Sequence, residues 1–235
     1  HGGQSVPNFD YAMAEGVKKT YRKQYFRALA QYIEVRFDMS ASDAAALTAA
    51  IKEALGTDVT MHTAEAYAEK LRAFLPRHQA ENGFQIITGD AARAAAEYAA
   101  KTAYKETDAT TYQAMEALVH NLNTMNSRAG AQVPFSSLNY GTDTSPEGRM
   151  AVHNLLRATE AGLGDGETPI FPVQIFKVKE GVNYNEGDPN YDLFRHALRC
   201  SAKRLFPNFS FLDAPFNLQY YKPGDYNTEV AYMGC

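Results

Sequence analysis

Asn126-Ser-Arg-Ala-Gly-Ala-Gln-Val-Pro-Phe-Ser-Ser-Leu-Asn-Tyr-Gly-Thr-Asp143 divides the chain into two kinds of sequence. It opens as a turn, with Ser127, Arg128 and Gly130 in succession. It runs on as a strand from Gln132 to Tyr140 and closes on the turn residues Gly141 and Asp143. The residues before it read as helix, and those after it as alternating strand and helix. A polar loop at such a junction is a natural place for binding, because loops carry function on a rigid scaffold. Its Ser, Arg, Asn and Gln suit sugar hydroxyls and phosphates; an ordinary connection is the alternative.

On the N-terminal side, Phe9, Met13, Val17, Tyr21, Tyr25, Leu29, Ile33 and Phe37 recur every four residues and predict one long amphipathic helix. Pro7 and Asn8 suit its start, and Asp10 falls in the first turn, where the helix dipole favours an anion. Its flank carries Lys18, Lys19, Arg22, Lys23 and Arg27, which is either a solvated face or a phosphate-binding flank. Ser40-Ala-Ser-Asp43 resembles a capping box ahead of an Ala-rich helix that stops at Gly56. A further helix runs from Thr63 to the neighbourhood of Pro76, which ends or kinks it. Phe84 to Ile87 is a brief strand or a buried turn. Asp90–Tyr104 is a helix of strong formers, and Thr107-Asp108 starts another, with a core stripe at Met115, Leu118, Val119, Leu122 and Met125.

On the C-terminal side, Ser145-Pro146-Glu147 is a helix start, and that helix ends near Gly162-Leu-Gly164. The glycines from Gly162 to Gly166 follow a helix and precede a strand, the reverse of a dinucleotide loop, and so read as a helix cap and turn. Thr168–Lys179 and Phe206–Leu212 read as strands on either side of a helix that opens at Asp188-Pro189 and carries Cys200 as a small core residue. Thr228–Tyr232 looks like a strand leading to Cys235, whose sulfur follows a glycine. Strands separated by helices of this length imply parallel pairing through crossovers. The chain thus divides into a helical region, 1–126, and an α/β region, 127–235.

A net charge of −4 gives no reason to expect nucleic-acid binding, and no apolar run reaches the ~20 residues that span a bilayer. No signal peptide is visible, and two cysteines are too few for a disulfide framework, so a cytoplasmic setting is the default. The six histidines are scattered, without helical ligand spacing or nearby cysteine pairs, so no metal site is expected within the chain. The chain opens at His1-Gly-Gly and stops after Met233-Gly-Cys235, which reads as a segment of a longer protein.

These residues carry a resemblance. The block Asn126–Asp143, then Gly166–Pro172, Glu180-Gly-Val-Asn183, Asp188–Asp192, Ser201-Ala-Lys-Arg204 and Met233-Gly-Cys235 look like the class III anaerobic ribonucleoside-triphosphate reductases, which are glycyl radical enzymes, and stand in that family's order. Gly2-Gly3, Asn8-Phe-Asp10 and Val17-Lys-Lys-Thr-Tyr21 resemble it too. The resemblance implies dimerisation and effector helices followed by part of the first half of a ten-stranded α/β barrel. It implies reduction of a ribonucleoside triphosphate at the ribose 2′-carbon, supplying deoxyribonucleotides for DNA synthesis. Cys235 would be the finger-loop cysteine that becomes a thiyl and takes the substrate's 3′-hydrogen. Ser127, Arg128, Gly130 and Gln132 would form the loop that couples effector to substrate choice, and Lys18, Lys19 and Tyr21 part of the effector-binding flank.

The same resemblance implies ATP or dNTP effectors, a homodimer, an iron–sulfur radical-SAM activating enzyme, and formate or a thiol system as reductant. The glycyl radical and a structural zinc would lie after Cys235, so the segment alone is expected to be inactive. Two alternatives compete: a non-catalytic dNTP-binding and dimerisation module, and another glycyl radical enzyme built on the same barrel.

Overall fold

A computed structural model describes residues 3–82, 85–126, 130 and 132–234. The chain divides into two compact units, one made of residues 1–17 with 110–235 and the other of residues 18–109. The second unit is an insertion in the connection between the first two strands of the first.

The first unit is built on a four-stranded parallel sheet of β1 (Gly3–Val6), β2 (Phe135–Tyr140), β3 (Val173–Val178) and β4 (Asn208–Phe211), in that order. The expected parallel pairing is present; β1 is an addition, because the sequence before residue 126 reads as helix throughout. It pairs Gly3 with Phe135 and Val6 with Leu138. Each later strand starts directly after a proline, at Pro134, Pro172 and Pro207. Proline has no N–H to give the ladder, so pairing begins one residue on. This trims the expected strands Gln132–Tyr140, Thr168–Lys179 and Phe206–Leu212 at their starts.

Sequential strand order combined with right-handed crossovers places the helices that follow β2 and β3 on one side of the sheet. There α5 (Pro146–Ala161) and α6 (Tyr191–Arg204) cover Leu138, Tyr140, Phe176 and Val178, all buried. Phe176, Phe194 and Phe209 form a ring cluster with centroids about 6 Å apart (6.0, 6.1 and 5.9 Å). Beneath it, Tyr140 donates to Gln174 at 2.7 Å and Gln174 to Thr159 at 2.9 Å, so the buried polar groups are paired. Ser145 caps α5 by accepting from the Gly148 N–H at 3.1 Å, with Pro146 in the first turn. Gly162 ends it at φ +82°, the helix cap read from the sequence. Arg204 donates to the carbonyls of Glu160 and Ala161 at the same end. Arg149 grips Asp192 with two bonds, of 3.0 and 2.7 Å, at the other.

The second unit holds most of α1 (Phe9–Arg36), α2 (Ala41–Leu55), α3 (Ala64–Glu81) and the first part of α4 (Gly89–Thr124). Its core contains Tyr21, Tyr25, Leu29, Ile33, Leu71 and Leu75 against the alanines of α4. The four-residue stripe of α1 is buried nearly throughout, but it is not straight. Each four-residue step gains about 40° on the helix, so the buried face at Phe9 is not the buried face at Ile33. Ser40 caps α2, accepting from the Asp43 N–H at 3.1 Å.

Two expected breaks are absent. α3 continues through Pro76 to Glu81, held by burial of Leu75 and Gln79 on either side. The Arg72 carbonyl, which loses its helical partner to the proline, is met by the start of α4. A Cβ on Gly89 would stand 3.3 Å from that oxygen. The two helices expected from Asp90 onward are the single helix α4: Thr107 is fully buried within it, and no Gly or Pro interrupts the run. Phe84 lies outside the described residues, while Ile87 is buried without regular structure.

Candidate functional site

The sheet face opposite α5 and α6 carries Ser5, Ser137, Asn139, Lys177 and Ser210 among Val173 and Ile175. Polar side chains inside a parallel sheet need partners. Here most of them come from the chain's last described stretch, residues 226–234, which crosses this face as a strap. Asn139, fully buried, pairs with the Tyr232 peptide in both directions. Its Oδ1 accepts from the Tyr232 N–H at 2.9 Å and its Nδ2 donates to the Tyr232 carbonyl at 2.9 Å. A side-chain amide offers the same donor and acceptor as a peptide, so Asn139 acts as a single rung of ladder. The Ser5 hydroxyl reaches the same carbonyl at 3.2 Å.

The strap meets the face at every third residue. Tyr226 stacks on Tyr11 with centroids 3.8 Å apart. Glu229, three residues on, accepts from Lys177 and Thr142 at 2.5 and 2.8 Å. Tyr232, three further, is held by Asn139, and its hydroxyl donates to Asn217 at 3.1 Å. Glu229 has φ −69° and ψ 135°, polyproline-type values. The expected strand Thr228–Tyr232 is therefore absent: Tyr226–Thr228 is a 3-10 turn and the residues to Gly234 have no ladder. At its end Gly234 lies flat on β3 with φ +77°, and a Cβ there would stand 2.6 Å from Val173 Cγ1. Beside the strap a cleft of ≈ 730 Å³ opens, lined by Ile175, Asn208, Ser210, Asn217, Tyr232 and Gly234.

At the C-terminal end of β2, the turn Gly141-Thr142-Asp143 aims three successive N–H groups inward. The Asp10 carboxylate fills this anion-binding nest, accepting from them at 2.8, 3.1 and 3.0 Å. Asn183 and Asn190 both donate to the Gly141 carbonyl, at 2.9 and 3.1 Å. Sequence reading assigned Asp10 a helix-dipole role; its partners lie about 130 residues away.

The residues singled out in the sequence fall in different places. Cys235, Ser127 and Arg128 lie outside the described residues. Gly130, at φ +102°, and Gln132 are exposed in the first unit, on the approach to β2. Lys18, Lys19 and Tyr21 belong to the second unit: Lys19 is exposed, Lys18 half-buried and Tyr21 2% exposed in the core. Cys200 is buried, and burial pushes its thiol up to about 12, which leaves it inert. Asn139, Lys177, Glu229 and Ser5 were not anticipated. For Asn139 and Lys177 the visible signal is a polar residue at a strand position flanked by apolar ones, Leu138-Asn139-Tyr140 and Phe176-Lys177-Val178; Ser5 and Glu229 carry no such signal. Among the described residues no three metal-ligating side chains converge, and no helix is long and apolar enough to cross a membrane.

The family described as anaerobic ribonucleoside-triphosphate reductase matches residues 1–235. Among curated proteins, the anaerobic ribonucleoside-triphosphate reductase of Escherichia coli K12 is 37% identical over 125 residues, covering 53% of this chain and 16% of that protein. Its namesake from Enterobacteria phage T4 is 41% identical over 107 residues, 45% of this chain and 18% of that protein. The matched stretches thus span less than a fifth of these relatives. The family match runs over the whole length, and the chain belongs to the anaerobic ribonucleoside-triphosphate reductase family.

Proposed function

We propose that this chain is part of a cytoplasmic enzyme that reduces ribonucleoside triphosphates to 2′-deoxyribonucleoside triphosphates, and that the polar sheet face is the lining of its reaction chamber. The observation that carries this reading is the strap, which crosses that face and delivers Gly234, the residue before Cys235, onto β3. A singly wound parallel sheet whose β2–β3 and β3–β4 helices lie on one side has the geometry of a barrel wall, and supports reading it as part of a ten-stranded α/β barrel.

In this reading Cys235 is the finger-loop cysteine. The glycyl radical of the full-length protein, installed by a separate iron–sulfur activating enzyme, supplies the unpaired electron. Cys235 would then remove the 3′-hydrogen as S–H forms and C–H breaks, the 2′ C–O bond would break with the hydroxyl leaving as water, formate or a thiol system would provide the electrons that reduce the 2′-carbon, and Cys235 would return the 3′-hydrogen. The chain's own residues hold the strap, and Asn208 and Ser210 in the cleft beside it offer amide and hydroxyl groups to a ribose. The described residues contain no ligand set that fits the family's structural zinc, and no step passes through it.

Ser127, Arg128, Gly130 and Gln132 are proposed to relay which dNTP or ATP effector is bound. Gly130 supplies a backbone shape that other residues resist. Exposed Lys19 is proposed to meet an effector phosphate, with Lys18 beside it and Tyr21 supporting the helix from the core. A homodimer completes the proposal.

The test uses the full-length protein, anaerobically activated. Cys235→Ser is expected to abolish turnover, and Gln132→Ala to scramble which NTP each effector favours. Full turnover by Cys235→Ser overturns the catalytic reading, and unchanged effector rules in Gln132→Ala return the loop to a connection.

A further inference from the structure

We propose that Lys177 is a positioning residue that, through Glu229, fixes the register of the strap on the sheet. The Lys177 side chain is completely buried on the strap-bearing face and Glu229 is 5% exposed. All three ammonium donors are used: on Glu229 Oε2 at 2.5 Å, on Asn8 Oδ1 at 3.0 Å and on the Pro7 carbonyl at 3.4 Å. Glu229 Oε2 also accepts the Thr142 hydroxyl at 2.8 Å, and Thr142 in turn accepts the Tyr11 hydroxyl at 3.3 Å.

The other main anchor cannot set register. Asn139 binds the N–H and C=O of Tyr232, groups that every strap residue except proline possesses, so a strap displaced along the sheet could satisfy it equally well. Lys177 discriminates. The neighbours of Glu229 are Thr228 and Val230, so a slip of one residue in either direction leaves a buried ammonium facing an uncharged side chain and a carboxylate without its cation. A buried ion pair is weak evidence for stability, because an apolar pair of similar volume serves as well. What it supplies is the penalty on every wrong alignment. The same register is the one in which a residue without a Cβ, Gly234, lands on Val173.

The structural part stands on these contacts; its consequence for turnover rests on the reading of Cys235 given above. The experiment has two readouts on the full-length protein. Before activation, hydrogen exchange of the peptide 226–234 is expected to quicken at least ~10-fold in Lys177→Met and in Glu229→Ala. After activation, kcat is expected to fall ~100-fold with KM for the NTP within about twofold, as for a reacting group misplaced by an ångström. Glu229→Gln, which keeps the hydrogen bonds and loses the charge, is expected to fall between.

Lys177→Met/Glu229→Leu removes both charges and guards against misfolding of the single variants. It is expected to fold, exchange fast in the strap and stay slow in turnover. Wild-type exchange and wild-type kcat in that double variant overturn the proposal. Retained turnover in Cys235→Ser removes the radical reading alone, and strap exchange then still decides the role of Lys177.

Discussion

Strand β3 has two sides with opposite occupations. Gln174, Phe176 and Val178 point to the helices, where rings and aliphatic groups fill space and Gln174 pairs with Tyr140 and Thr159. Ile175 and Lys177 point to the strap, where an irregular chain is held by an amide, an ion pair and a stacked tyrosine. The helix side is made by volume and tolerates exchanges of similar shape. The strap side is made by particular atoms at particular places, and one shift in register leaves charges unpaired. Space-filling contacts and atom-specific contacts thus alternate along one strand, residue by residue.

The contrast can be broken, first, from the helix side. Phe176→Ala removes a fully buried ring and is expected to cost about 3–5 kcal/mol in denaturant unfolding, whereas Ser137→Ala on the strap side is expected to stay within about 0.5 kcal/mol. Equal costs for the two would erase the distinction. Asp10→Ala probes the seam between the sides. Three buried N–H groups lose their shared acceptor, with an expected loss of about 3 kcal/mol, of which Asp10→Asn should recover part; a neutral Asp10→Ala would show that water fills the nest.

The smallest effect is a pH dependence confined to the helix layer. Burial holds the His196 imidazole below its ordinary value, against the pull of Glu160, whose Oε2 lies 3.3 Å from Nε2. Burial raises the Glu160 carboxyl, but Arg199 and His196 outweigh it and the net shift is downward. Both groups bind protons less readily when folded than when unfolded, so both contribute stability that is lost as pH falls. His196 acts first, below about pH 6.5, and Glu160 below the ordinary carboxylate range. The unfolding midpoint is expected to drop between pH 7.5 and 5.5, with a shallower drop in His196→Gln. An identical slope in that variant would move the effect elsewhere.

Much of the fold was legible in the sequence because it is written locally. The four-residue stripe of α1, the Ser145-Pro146 start and the Gly162 stop each lie within a turn or two of what they determine. The parallel pairing followed from strand–helix alternation. The prolines at 134, 172 and 207 could have placed three strand starts had their missing N–H been used. β1 was invisible because Gly3-Gln-Ser-Val6 has one apolar residue; the edge of β2 makes it a strand.

The strap and its anchors were not legible in the sequence. Asn139 and Tyr232 are 93 residues apart, Lys177 and Glu229 52, and no spacing rule links residues at such distances. The strap was misread because Thr228-Glu-Val-Ala-Tyr232 has the composition of a strand, while its contacts follow a period of three instead of two.

That period makes the strap a ruler. An extended chain, such as runs on from the 3-10 turn at Tyr226–Thr228, advances about 3.1 Å per residue and has no slack to absorb a length change between fixed marks. The marks at 226, 229, 232 and 234 lie so close together that deleting one residue between Glu229 and Gly234 cannot be hidden in a bulge. The turn from Gly162 to Thr168 is likewise closely marked, with the Leu163 N–H on the Glu167 carbonyl at 2.9 Å and Arg204 on the Gly166 carbonyl at 2.7 Å. Across this chain, tolerance of altered length follows how tightly the contacts are spaced, and not how exposed the backbone is: the strap, though largely on the surface, is among the least forgiving stretches in the molecule.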